Sequence, residues 1–244
     1  MNIVTVLIGG SAGLLLGSRL PKKINQAVLS VMGLVTMVVG IQMALQTKNI
    51  LIVIFSLVIG TVIGELVNIE AIVNRVGREM ERKFSKSKDG RFARAFVATS
   101  LLFCVGPMTI LGSIQDGLTG NYSLLATKSM LDGFAAMMFA AAMGVGVLFS
   151  ALTVLVIQGG LTLFAGTLSG LMTSPVIAEI TGTGGVMVIS IGLGIVGIKK
   201  FNTANTLPAL AIAPIIVLIL NQLWPKKEFY QEFEPPAGYI WATT

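Results

Sequence analysis

The amino-acid sequence predicts an all-α membrane protein. It reads as a polytopic bundle of about eight transmembrane helices, with two inverted three-helix repeats flanking a central helix pair and several helices broken. Three observations predict this. Of the 244 residues, 54% are hydrophobic and only 11% charged, with a mean hydropathy of +0.87, whereas a soluble domain carries about 25% charged residues. The apolar residues form runs long enough to cross a bilayer, which takes about 20 residues per helix. Most of the 17 Lys and Arg residues cluster at alternate ends of those runs, the pattern that orients membrane helices.

The candidate spans, in order, are 3–19, 24–45, 50–67, 95–113, 130–149, 152–172, 184–198 and 207–223. The first lies in MNIVTVLIGGSAGLLLGSRLP, which has no basic region before its apolar stretch. It is therefore expected to stay as a helix rather than act as a signal peptide. After the third span, LVNIEAIVNRVGREMERKF places Leu66, Ile69, Ile72, Val73, Val76, Met80 and Phe84 on one stripe opposite a charged face. That pattern predicts an amphipathic extension of the third helix on the inner surface or against a partner, or else a solvated connector. The uncharged run from Gly133 to Met172 is too long for one helix and is divided near Ser150. The span 184–198 is short, as in a helix that does not cross fully. The chain then organises as one membrane domain over 1–223, with a first repeat at 3–67, a basic connector at 68–94, a central pair at 95–149 and a second repeat at 152–223. Residues 224–244 form a polar tail.

With the N-terminus outside, three basic groups fall on the cytoplasmic side: Arg19, Lys22 and Lys23; the series from Arg75 to Arg94; and Lys199 with Lys200. The net charge of +6 therefore reads as bilayer orientation, not nucleic-acid binding, because no aromatic residues interleave with the basic ones. Cys104 is the only cysteine and histidine is absent. An intramolecular disulfide is impossible and a His-dependent triad is excluded. A zinc site would need an improbable set of carboxylates around Cys104. No cofactor or metal is expected, and the chain is not expected to be an enzyme.

The repeat is visible in residues. LIGGSAGLLLGSRLP followed by VVGIQMAL corresponds to LFAGTLSGLMTSPVI followed by GIVGIKKF. Gly10 matches Gly166, and Gly40-Ile41 matches Gly197-Ile198. Inverted repeats of this kind are a hallmark of secondary transporters, which bind substrate at the repeat interface near the midplane. Glycines four apart, at Gly9, Gly13 and Gly17 and at Gly60 and Gly64, provide faces for close helix packing and permit a homodimer.

Candidate site residues come from the helix breaks and the polar groups beside them. In CVGPMTILGSIQDGLTG, Gly106 and Pro107 should break the fourth helix, since proline removes a donor and clashes with the preceding turn. Carbonyls freed there must face protein, water or an ion. Downstream stand Gln115, Asp116, Asn121, Lys128 and Asp132, with Lys128 and Asp132 at i, i+4. Ionisable groups at membrane depth mark pathways. The competing reading places Asp116 and Lys128 in an ordinary outer loop. SPVIAEITGTGGVM, with Glu179, Gly184 and Gly185, predicts an unwound or re-entrant segment, or else a plain extracellular loop. Asn205 lies before Pro208, as a cap or a ligand, and Pro214 should kink the last helix.

Three stretches carry a family resemblance: IGTVIGELVNIE, FCVGPMTILGSIQDGLTGNYSLLATKSMLDG and TGTGGVMVISIGLGIVGIKKFNTANTLPALAIAP. Over about residues 1–223 the chain resembles the YqgA/YdfK-like bacterial inner-membrane proteins, catalogued as domain of unknown function 554. The resemblance implies a bacterial inner-membrane location and no established substrate.

The function these features predict is secondary transport of a small solute or ion, coupled to a cation or proton. Asp116 and Asp132 would hold the cation, Lys128 would balance them, and Gln115, Asn205 and freed carbonyls would bind solute. An ion channel would use the same residues without alternating access. A non-transporting scaffold or sensor would act through the amphipathic 66–84 segment instead.

Overall fold

A computed structural model describes residues 1–17, 21–84 and 91–223; the expected tail and part of the basic connector lie outside these. The described residues are helical, without strands. The helices are α1 (Asn2–Gly17), α2 (Lys22–Ala44), α3 (Ile50–Val67), α4 (Ile69–Phe84), α5 (Arg91–Cys104), α6 (Pro107–Thr119), α7 (Ser123–Met143), α8 (Gly146–Leu163), the single turn α9 (Ala165–Leu168), α10 (Ser174–Val196) and α11 (Ala209–Leu223). A 3-10 turn, Thr203–Thr206, precedes α11. Six of these segments are long and apolar enough to cross a membrane, or seven if the bent pair α5–α6 counts as one span; α1 is apolar but shorter.

Small residues set the packing. A Cβ on Gly9, Gly13 or Gly17 would run into the backbone of Gly133, Met137 or Ala141 respectively. The numbers rise together, so α1 and α7 are parallel and in near backbone contact, the approach that small-residue faces permit. In contrast, Gly33 meets Val196 and Gly40 meets Ile189 and Gly185, while Gly60 meets Ala209 and Gly64 meets Asn205. The pairs α2–α10 and α3–α11 are therefore antiparallel. Parallel α1 and α7 fit a bent pair α5–α6 that carries the chain from one end of the bundle to the other. On this path Lys23, Arg75, Arg94, Lys199 and Lys200 all lie at one end, called here the basic end.

The break at Gly106-Pro107 is present: α5 and α6 meet at 57°. Pro107 opens α6, where its missing N–H costs nothing, and the Thr109 hydroxyl donates to the stranded carbonyl of Phe103 at 2.9 Å.

Several expected boundaries are corrected. Gly184 and Gly185 do not break a helix: α10 is continuous over Ser174–Val196 and is the most deeply buried of the candidate spans. These glycines instead admit neighbours, since a Cβ on Gly184 would strike the Val105 side chain and one on Gly185 the backbone of Ala44. The turn expected near Ser150 lies at Gly144, whose φ of 89° is the left-handed region open to glycine; Ser150 is buried within α8. Pro214 does not interrupt α11. It lies inside the helix, at its sixth residue, where its ring removes one backbone hydrogen bond. Pro208 does mark a joint, between the 3-10 turn and α11. Finally, α4 is not a continuation of α3. Asn68, at φ 57°, ends α3 in the left-handed conformation, and its side-chain oxygen accepts from the Ala71 N–H at 3.3 Å to start α4.

Candidate functional site

Lys128 lies in the second turn of α7 and Asp132 one turn further on, so both project from one face. That face is turned into the bundle. Lys128 is 8% exposed and Asp132 5%, and the ammonium donates to both carboxylate oxygens at 2.7 Å. Lysine preceding the acid is the weaker order for stabilising a helix, so local helix stability does not explain the pair. Neighbouring helices complete it. From α1, Asn2 donates its amide to Asp132 Oδ2 at 2.8 Å and to Gln158 Oε1 on α8 at 3.1 Å. The ammonium also sits 6.0 Å from the centre of the Phe103 ring on α5, the outer range of a cation–π contact.

The network is incomplete. Gln158 Nε2 is buried with no hydrogen-bond partner among the described residues. Lysine has three N–H donors and Asp132 is its one hydrogen-bonded partner among the described residues. A neutralised ion pair with spare donor capacity can take up an anion, a water or a proton at the carboxylate, with the four helices α1, α5, α7 and α8 around it.

A second polar feature lies at the basic end. A cavity of about 270 Å³ opens between α4, α5, α7, α10 and the 3-10 turn, with Glu70, Arg94, Ser190, Lys200 and Thr203 among its lining. Asn205 is almost wholly buried, and its side-chain oxygen accepts from the Glu70 N–H at 2.6 Å. It therefore pins the first turn of α4 over the cavity and does not cap α11. Burial pushes the Glu70 carboxyl above the usual carboxylate range; a hydrogen bond from Asn74 opposes this and nearby Glu65 reinforces it.

Between cavity and ion pair stands packed apolar material. Ala95, Phe103, Ala136, Phe139 and Ala140 belong to one buried cluster. From Asp132 to Ala142, which lines the cavity, α7 rises about 15 Å. The cavity is thus open at the basic end and closed below the pair.

The remaining sequence candidates fall elsewhere. Gln115 is exposed and Asp116 half-buried near the end of α6. The Asp116 carbonyl closes that helix by accepting from the Gly120 N–H at 2.8 Å. Lys128 pairs with Asp132 and not with Asp116. Glu179 is fully buried on α10 and accepts from the Thr47 hydroxyl and from the N–H groups of Lys48 and Asn49 at 2.8 and 2.9 Å. It holds the α2–α3 turn.

Sequence comparison agrees with this architecture. A family model described as protein of unknown function (DUF554) matches residues 1–218. The chain belongs to the DUF554 family. It is 33% identical over 224 residues to the uncharacterized membrane protein YdfK of Bacillus subtilis, covering 90% of this chain and 95% of that one. To the uncharacterized protein YqgA of Escherichia coli it is 34% identical over 217 residues, covering 87% and 92%. No solved structure matches. This DUF554 protein is accordingly a multi-pass helical membrane protein.

Two members of its polar network escaped the sequence reading. Asn2 sits beside the N-terminal residue and carries no signal. Gln158 could have been found, as the lone amide in the apolar run LTVLVIQGG.

Proposed function

We propose that this DUF554 protein is a secondary transporter of a small solute or ion, coupled to a proton or cation, in the bacterial inner membrane. The observation that carries the reading is the Lys128–Asp132 pair, buried among four helices and tied to Asn2 and Gln158. Ion pairs at membrane depth are costly and serve chiefly in substrate and proton pathways. Protonation of Asp132 releases Lys128 and loosens the tie to α1, so a proton or cation at the carboxylate biases the packing of α1 against α7. The 270 Å³ cavity, open at the basic end and sealed from the pair, has the one-sided access of a carrier. A channel in its conducting state has continuous access instead.

Three further features support the reading. The antiparallel pairs α2–α10 and α3–α11 have the relation that inverted three-helix repeats require. The broken pair α5–α6 lines the same bundle as the ion pair. The basic end, by the positive-inside rule, is cytoplasmic, with the N-terminus outside. The side of α4 that carries Glu70, Val73 and Asn74 faces the cavity, which favours a transport role for that helix over the scaffold reading.

The test is reconstitution into liposomes carrying an interior pH dye, with a panel of small solutes applied outside. Solute-driven proton movement that disappears in the folded Lys128→Met, Asp132→Leu double variant supports coupled transport. Solute uptake with no movement of H⁺, Na⁺ or K⁺ refutes the coupling.

A further inference from the structure

The cavity at the basic end has a lining that points to the chemistry of its occupant. On the α4 side, Glu70 contributes a carboxylate whose Oε2 is buried with no hydrogen-bond partner. A carboxylate oxygen without a protein partner keeps its acceptor capacity for a cationic donor. The Glu70 backbone N–H is already taken by Asn205, so this turn of α4 is held in place without any ligand. At the mouth stand the exposed cations Arg94, on α5, and Lys200, after α10. Neither has an ion-pair partner among the described residues. The wall between is apolar at Val97, Met143 and Ile191, with a hydroxyl pair, Ser190 and Thr203, 2.9 Å apart.

We propose that this cavity binds a small zwitterion carrying an ammonium and a carboxylate group on a short aliphatic body, the chemistry of an aliphatic α-amino acid. Ammonium donates to Glu70, carboxylate lies between Arg94 and Lys200, and the aliphatic part rests on Val97 and Ile191. A purely anionic solute would face Glu70, and a purely cationic one would face Arg94 and Lys200. Only a solute with both charges satisfies both ends. The volume, about 270 Å³, is below the roughly 300–1,000 Å³ of drug-sized pockets, which limits the body to a few carbons. As a statement about substrate class this rests on the transport reading, but binding can be tested without flux.

The experiment is the thermal midpoint of the full chain in detergent against L-alanine, L-serine and L-leucine. Propylamine and propionate serve as half-molecule controls. At least one amino acid is expected to raise the midpoint in proportion to log concentration, with both half-molecules at least about tenfold weaker. Glu70→Gln should weaken amino-acid binding about tenfold or more and leave the weak propionate response intact. Arg94→Gln should do the reverse, losing propionate and keeping propylamine, so the proposal stays testable if one variant fails to fold. The proposal is overturned if no amino acid shifts the midpoint, if a half-molecule binds as well as the zwitterions, or if Glu70→Gln binds them unchanged. Amino-acid binding without flux in liposomes would instead refute the transport reading and leave this site standing.

Discussion

Asn2 donates its side-chain amide to Asp132 at 2.8 Å, joining the first turn of α1 to the inner face of α7 across 130 positions of sequence. The same amide reaches Gln158 on α8 at 3.1 Å. One short polar side chain therefore ties three helices at the ion pair.

Removing one charge should be far worse than removing both. Asp132→Asn leaves the Lys128 ammonium buried and uncompensated, a loss of about 3–5 kcal/mol, read as a lower thermal midpoint and reduced yield. The double variant Lys128→Met with Asp132→Leu should recover most of that stability, because apolar replacement of a buried pair is often neutral. Recovery of stability without recovery of coupled flux would mark the pair as functional. A double variant no more stable than Asp132→Asn would contradict the account.

Glu179 offers a contrast, as a buried carboxylate with a structural task. Its oxygens accept from Thr47, Lys48 and Asn49. Glu179→Ala should strand those donors at about 1–3 kcal/mol, and Glu179→Gln, which keeps one acceptor, should lose less. Ion coupling in the surviving Glu179→Gln protein should match wild type. A coupling defect at full stability would show that Glu179 does more than hold the turn.

The α1–α7 contact leaves no room for a side chain at Gly13, where a Cβ would meet the Met137 carbonyl. Gly13→Val should force the helices apart at about 3 kcal/mol or more and disturb the Asn2–Asp132 bond about three turns away on the same face. Gly170→Val, at a glycine with open space around it, should be tolerated. Equal midpoints for the two variants would refute the packing.

Glu70 gives a pH dependence with a definite sign. Its folded carboxyl is raised above the ordinary value of 4.5 by burial, which the hydrogen bond from Asn74 opposes and nearby Glu65 reinforces. The folded state therefore holds the proton more tightly than the unfolded chain. That contribution to stability is fully present below pH 4.5 and is lost as pH rises through the folded pKa. Midpoints measured across this range should fall for wild type relative to Glu70→Gln, which lacks the titration. Parallel curves would contradict it.

How much of this was legible in the sequence depended on whether the signal was local. Composition and charge clusters sufficed for the helical membrane architecture, and Gly106-Pro107 for the bend, because each acts within its own turn. Lys128 and Asp132 were legible as an i, i+4 pair, but not Asn2, whose role depends on α1 lying beside α7. Gly184-Gly185 read as a break because glycine destabilises a helix locally, whereas here it admits Val105 and the α2 backbone. Glu179 shortened the expected span because a charge scores as polar; its three donors come from a turn about 130 residues away. Asn205 could be a cap or a ligand from sequence alone, and its actual partner, the Glu70 N–H, lies on another helix.

The central claim is that the Lys128–Asp132 pair couples ion movement to solute movement. The most direct measurement is the transient current of proteoliposomes on a solid support, triggered by an L-amino-acid jump at fixed pH gradients. It would compare wild type with the Lys128→Met, Asp132→Leu double variant. The account predicts a solute-triggered current in wild type that scales with the gradient and is absent in the folded double variant. A current of the same size in both, or none in wild type with any solute, would contradict it.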